Sequence, residues 1–301
     1  MVAKTGTTGE CIDELINVNI MAPGKNVTYV QHHFTQYYQN EMYKDCKESL
    51  KGGDCLMVQD FSQNRKILHQ NEIKSAHWSQ KQVSMHPTVL FYKTEDDQDV
   101  KKMVITHLSD IANHDAHLVH YMTKDCIDTL SKIHTDVKWN NIYLWSDGCA
   151  SQYKGKHSFF YLDQYGTNIQ RNFFGSEHGK GESDAQTGVF SKQLSDAVKS
   201  ENYTFKNAQG MCDFLSSVND VDCRKFVLVN ENDLKSTYQR FENVKVSTLS
   251  GKCTRSLHQI KPSDEKGVLL TQRFSCFCYQ CLTGMYDQCL YKDYTLGNFI
   301  D

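Results

Sequence analysis

The sequence lacks any run of the roughly 18 apolar residues that a membrane helix requires, and its N-terminus lacks a basic stretch leading into an apolar one. Those absences argue against a helical membrane anchor and a secretory leader, so a soluble, unsecreted chain is expected. An excess of one charge is also missing. The 33 Lys and Arg residues face 36 Asp and Glu, a formal net charge of -3, which argues against a protein that coats nucleic acid nonspecifically and confines any nucleic-acid surface to a local patch. No internal repeat and no low-complexity tract interrupts the chain. A disulfide framework is not expected either. Of the 12 cysteines, four crowd between Cys276 and Cys289 while the others are scattered singly through segments that read as ordinary core or surface. That distribution fits a reducing compartment, nucleus or cytosol, with one metal-binding cluster.

What is present can bury one sizeable core with a satellite, since 39% of the 301 residues are hydrophobic. Residues 1–26 read as a loosely ordered, Gly/Thr-rich lead-in closed by Pro23 and Gly24. Val30, Phe34, Tyr37, Tyr38, Met42 and Tyr43 then recur at helical spacing until Gly52 and Gly53 stop the run. The short apolar segment Cys55 to Phe61 suits a buried strand with Asp60 at its tip, and 83–92 and 103–108 are rich in β-branched and aromatic residues, which predicts a three-strand meander. Leu118, Val119, Met122, Cys126, Ile127, Leu130 and Ile133 form the apolar stripe of a helix over 116–133. A strand over 142–145 runs into Asp147, 159–163 fits a helix or a strand, 169–174 reads as a strand, and 183–200 as a helix. This order predicts an α/β arrangement, a mixed sheet flanked by helices over 27–204. Short alternating segments at 225–229 and 244–249 predict a small β-rich module over 205–301 that ends in the cysteine cluster.

Two strand-tip acids and Asp184 at a helix start are the pattern that two-metal phosphodiester chemistry uses. Carboxylate oxygens must converge so that two divalent cations, about 3.5 to 4 Å apart, clamp the attacking and leaving oxygens. Spacing alone is weak in a chain with 36 acids. The ordered blocks QDFSQN (Gln59 to Asn64), SAHWSQ (Ser75 to Gln80) with QVSMHP (Gln82 to Pro87), WSDGCASQYK (Trp145 to Lys154) and FGSEHGKG (Phe174 to Gly181) followed by Asp184 add specificity. Together, over roughly 27–220 and more loosely the cysteine cluster, they resemble transposon-derived proteins scattered in animal genomes, similar to Mutator-like DDE transposases. The resemblance implies a ribonuclease H-like fold in which Asp60, Asp147 and Asp184 bind magnesium, with manganese as a substitute, and cut or join DNA strands. DNA is then the partner, without a membrane, and a homo-oligomer stays open. A domesticated, noncatalytic nuclear DNA- or protein-binding protein and a structure-specific nuclease are the alternatives. The chain departs from the family at Glu182, Ser183, Asp184 and Ala185, where relatives carry a small or apolar residue, then Cys and Asp-Gly, so Glu182 stays open as the third ligand.

Near the acids, Lys154, Lys156 and Lys180 are candidates to neutralise phosphates, as is His178 in its Gly-rich loop, each against an ordinary solvated or backbone-bonded role. His114, Asp115, His117 and His120 read as helix surface or capping, because no fourth metal ligand stands out. His77 and Trp78 read as a loop anchor. Cys276, Cys278, Cys281 and Cys289 offer four thiolates, enough for a closed tetrahedral zinc site. The opening Cys-x-Cys is tighter than the usual knuckle, and Cys253 or His258 lies close enough to replace a ligand.

Overall fold

A computed structural model describes residues 26–67, 81–175, 181–200, 203–242, 244–249, 254–289 and 294–298. The expected lead-in, apart from Asn26, lies outside the described residues, as do His77 and Trp78, His178 and Lys180, and Cys253.

Helix α1 (Asn26–Glu48) precedes β1 (Asp54–Gln59), and the turn between them uses Gly53 at φ 81°. A Cβ there would stand 2.4 Å from Asn140 Nδ2, so only glycine fits. Next come the two-residue β2 (Arg65–Lys66), β3 (Gln82–Lys93), β4 (Lys101–Ser109) and helix α2 (Ala116–Ile133). They are followed by β5 (Asn141–Ser146), α3 (Lys156–Tyr165), β6 (Ile169–Phe173) and α4 (Glu182–Lys199). The chain continues through α5 (Ala208–Val218), β7 (Arg224–Leu228), α6 (Glu231–Phe241), β8 (Gln259–Pro262), β9 (Val268–Gln272), the single turn α7 (Tyr279–Leu282) and β10 (Tyr294–Asn298).

Nine strands form one mixed sheet in the order β10-β9-β8-β6-β5-β1-β3-β4-β7, with β2 paired to β3 beside it. The expected meander is present, since β1, β3 and β4 pair antiparallel in sequence. On the other side of β1, strands β5 and β6 run parallel to it and to each other. The central strand is buried along its whole length, as a strand covered on both faces must be. Its alternation assigns the two layers: Cys55 and Met57 join the core beneath α2 and α3, whereas Leu56 and Val58 join the core built with α1, α4 and α5.

The segment 159–163 lies within α3, bounded by Gly155 and by Gly166 at φ 107°. Beyond residue 205 the chain is not a β-rich module apart. It holds α5 and α6, and its strands extend both edges of the sheet, β7 along β4 and β8 along β6. Edge strands left with unpaired N–H and C=O groups gain hydrogen bonds this way. The expected strand at 244–249 is irregular instead, and Val246 and Leu249 are buried in the main core from there.

Helix α1 is tied to the sheet by Gln39, which is fully buried. Its Nε2 donates to the Phe173 carbonyl at 2.7 Å and to Ser275 Oγ at 2.9 Å, and its Oε1 accepts from the Ser275 N–H at 3.0 Å. Tyr43 lies edge-on to Trp145 and Phe174, with ring centroids 5.4 and 5.3 Å apart. Among the described residues, no helix is long and apolar enough to cross a membrane.

Candidate functional site

Parallel pairing sets the position of the first two acids. Asp54 stands beside Asn141 and Val58 beside Trp145; continuing that register by two residues sets Asp60 opposite Asp147, just past the ends of neighbouring strands about 4.8 Å apart. The C-terminal end of adjacent parallel strands is where open α/β sheets present ligand groups.

The third acid arrives with α4. Ser183 is buried, and its Oγ donates to the Val58 carbonyl at 3.0 Å, which pins the first turn of that helix to the end of β1. The neighbours of Ser183 diverge, because two positions of a helix differ by about 200°. Glu182 turns to Lys102 at 2.6 Å and Lys47 at 3.3 Å. Burial opposes ionisation of Glu182, yet the two lysines hold its carboxyl below the usual range. Asp184 is exposed and lies within electrostatic reach of Asp60.

The charges register one another. Asp60 is pushed up to about 7, first by burial and then by the like charges of Asp147 and Asp184, against a pull downward from the Phe61 N–H. Asp147 is also raised by burial, with relief from the Cys149 N–H, which donates to its Oδ1 at 3.1 Å, and from Lys154. Asp60 and Asp147 open onto a cleft of about 710 Å³ whose walls include Gln63, Asn64, Lys66, Gln82 and His114, within the range of small-molecule sites. His114 stacks on Phe61 in that wall, ring centroids 3.9 Å apart at 11°.

Beneath the acids lies a buried polar layer that the sequence reading missed. Arg171 is 3% exposed; its guanidinium reaches Ser146 Oγ at 3.4 Å and Gln59 Oε1 at 3.5 Å, and its carbon sits 5.5 Å from the Tyr153 ring centroid. Gln59 donates to Thr123 Oγ1 at 2.9 Å, and Tyr153 shares a 2.9 Å hydrogen bond with His86 Nε2. Burial holds His86 well below the ordinary histidine range, so it is neutral. The available signal was a charge inside the expected strand 169–174, which only a covered strand makes unusual.

The phosphate-binding candidates separate. Lys156 is exposed at the start of α3. Lys154 turns inward instead: it is 7% exposed, donates to the Arg255 carbonyl at 3.0 Å and lies 4.7 Å over the Phe173 ring. The apolar stem and the ring hold it there, a direction that spacing does not reveal. Asp115 caps α2, accepting from the N–H groups of His117 and Leu118, while His117 bonds the Tyr161 hydroxyl and His120 the Tyr165 hydroxyl at 2.7 Å. Asp115 is thus a helix cap and His117 and His120 bond tyrosines, whereas His114 lines the cleft.

Among the described residues, Cys276, Cys278, Cys281 and Cys289 are the one group of His, Cys, Asp or Glu ligand atoms lying within 4.8 Å of one another. Asp60, Asp147 and Asp184 do not form such a group. Cys276 Sγ and Cys278 Sγ are each 3.8 Å from Cys289 Sγ, far beyond a disulfide length of roughly 2.05 Å. Hydrogen bonds from Cys281 first, and from the Cys278 N–H and the other thiols, hold the Cys276 thiol below its usual range against the effect of its burial. His258 stays apart, its Nδ1 facing the Arg273 carbonyl at 2.7 Å.

A family model described as a domain of unknown function (DUF8701) matches residues 39–275. No curated protein matches the chain. Among solved structures, the crystal structure of NurA with manganese matches at 10% identity and a TM-score of 0.20, covering 97% of this chain and 57% of that one. The crystal structure of NurA bound to dAMP and manganese matches at 10% identity and a TM-score of 0.20, covering 98% and 57%. The chain thus spans little more than half the length of those structures, and agreement at this level does not establish a shared arrangement.

Proposed function

For this chain, which belongs to the DUF8701 family of domains of unknown function, we propose a metal-dependent phosphodiesterase of the transposase type, acting on DNA from a ribonuclease H-like core. The observation that carries the reading is the matched position of Asp60 and Asp147 at the ends of parallel strands, with Asp184 near enough for its charge to raise Asp60. A carboxyl pushed up to about 7 by burial and two like charges gains most from a cation beside it.

The donor set fits a hard ion. Asp60, Asp147 and Asp184 offer oxygen alone, which suits magnesium or manganese, whereas the four thiols suit zinc. When bound, two such ions supply a clamp on the attacking and leaving oxygens and lower the pKa of a bound water. The chain itself does the rest. Ser183 fixes the start of α4, the Cys149 N–H orients Asp147, and Gln59 and Ser146, held by Arg171, keep the two strand tips side by side. Phe61 and His114 offer a stacked aromatic wall against which a base can lie.

A second reading, a DNA- or protein-binding protein that has lost catalysis, is favoured by one observation: Lys66 is the single lysine or arginine in the described wall of the cleft, since Lys154 points inward. A nicking assay separates the two. The full chain, given supercoiled plasmid and magnesium or manganese, is expected to produce nicked circles, and Asp147→Asn to lower that rate about 1,000-fold or more. Wild-type protein that binds the plasmid without nicking it supports the second reading, and equal nicking by Asp147→Asn refutes the proposed site.

A further inference from the structure

The four cysteines converge for a reason that the acid site does not supply. Three of them, Cys276, Cys281 and Cys289, are at most 7% exposed, and Cys278 is partly exposed. Sulfurs at tetrahedral positions about 2.3 Å from one centre stand about 3.8 Å apart, the separation found from Cys289 to Cys276 and to Cys278.

The knot does not hang from the end of the chain. It lies over the sheet, and a small cavity between them is bounded by Tyr143, Gln170, Gln259, Gln272, Cys276 and Cys281. Gln272 Nε2 donates to Cys281 Sγ at 3.8 Å. Phe277, fixed between two of the thiols, packs on Tyr143 and Trp145 of β5 with ring centroids 5.7 and 6.1 Å away. Ser275, the residue before Cys276, donates to Asn172 Oδ1 at 3.2 Å and to the His258 carbonyl at 3.0 Å and is bonded to Gln39 of α1.

We propose that Cys276, Cys278, Cys281 and Cys289 bind one structural zinc ion, and that this ion locks Phe277 and Ser275 against β5, β6 and α1. A closed four-thiolate site of this kind contributes folding energy and has no open position for substrate. Zinc loading therefore governs the stability of the sheet half that carries Asp147, whether or not the acids catalyse anything.

The test uses the full chain. Purified protein is expected to release about one zinc per chain when its thiols are modified, and the cobalt-exchanged protein to show the intense visible absorption of a tetrahedral thiolate complex. Chelation should lower the thermal midpoint by several degrees, with recovery on adding zinc. Because a Cys281→Ser variant can fail to fold, Phe277→Ala is the second probe: it should retain about one zinc per chain while losing most of the midpoint difference between zinc-loaded and chelated protein. Absence of zinc together with no cobalt absorption overturns the site, and an unchanged midpoint difference in Phe277→Ala overturns the lock.

Discussion

The acid site and the cysteine knot sit on the same sheet but are assembled in opposite ways. Asp60, Asp147 and Asp184 come from the ends of β1 and β5 and the start of α4, so only the register of the sheet and the hydrogen bond from Ser183 to Val58 bring them together. The four thiols come from one stretch, Cys276 to Cys289, folded by one α-helical turn, a tight turn at Gly284, φ 78°, and a 3-10 turn over Tyr286–Gln288. The acids open onto a cleft, where burial and mutual repulsion oppose the ionisation of Asp60; three of the four thiols of the knot are buried. A charged site open to a cleft stores electrostatic cost that a cation relieves, whereas a buried soft site stores little until a metal closes it.

The largest expected effect falls on the acids. Asp60→Asn and Asp147→Asn should each lower magnesium-dependent nicking about 1,000-fold or more, about 4 kcal/mol of barrier, read from initial rates on supercoiled DNA. If either variant cuts at the wild-type rate, the pairing of the two strand tips has no catalytic meaning. Next comes the division of labour on α4. Asp184→Asn should cost on the order of 100-fold and Glu182→Gln less than about tenfold, because Lys47 and Lys102 already engage Glu182. The opposite ranking would transfer the third-ligand role to Glu182.

Smaller effects concern stability. Gln39→Ala removes a fully buried amide and leaves Ser275 with lost partners, so urea denaturation should show a loss of about 2 to 3 kcal/mol. Asp60→Asn should act the other way. A folded-state pKa raised to about 7 means that the unfolded chain releases this proton first, so Asp60 lowers stability as pH rises from about 4 to 7. The variant should gain roughly 1 to 3 kcal/mol at pH 8 and almost nothing below pH 4. A gain of the same size at both pH values would show that packing, and not charge, is responsible.

How far the sequence could be read follows the same division. The thiols were legible because local spacing is all they need. Asp60 and Asp147 were legible as strand tips, since apolar runs led into both, but their matched register depends on β1 and β5 pairing directly, which no local pattern encodes. The elements along 27–204 followed from periodicity, and 159–163 stayed ambiguous because a short aromatic run suits either period; the glycines around it and the face it covers decide for helix. The strand expected at 244–249 is irregular because alternation alone does not make a strand: Val246 and Leu249 enter the main core from a segment with no regular structure. The inward turn of Lys154 was not legible, since a side chain's direction depends on what lies beneath it, here Phe173. The layer of Arg171, Tyr153 and His86 under the acids emerges only once both faces of the sheet are covered.

Manganese binding tests the central claim most directly. Titration of the zinc-loaded full chain with Mn²⁺ can be followed by loss of the paramagnetic signal of the free hydrated ion. Saturable uptake by the wild type, weakened about 100-fold or more by combined Asp60→Asn and Asp147→Asn substitution, is the predicted result, because the remaining carboxylate cannot hold the ion alone. Equal uptake by the wild type and the double variant would contradict the account.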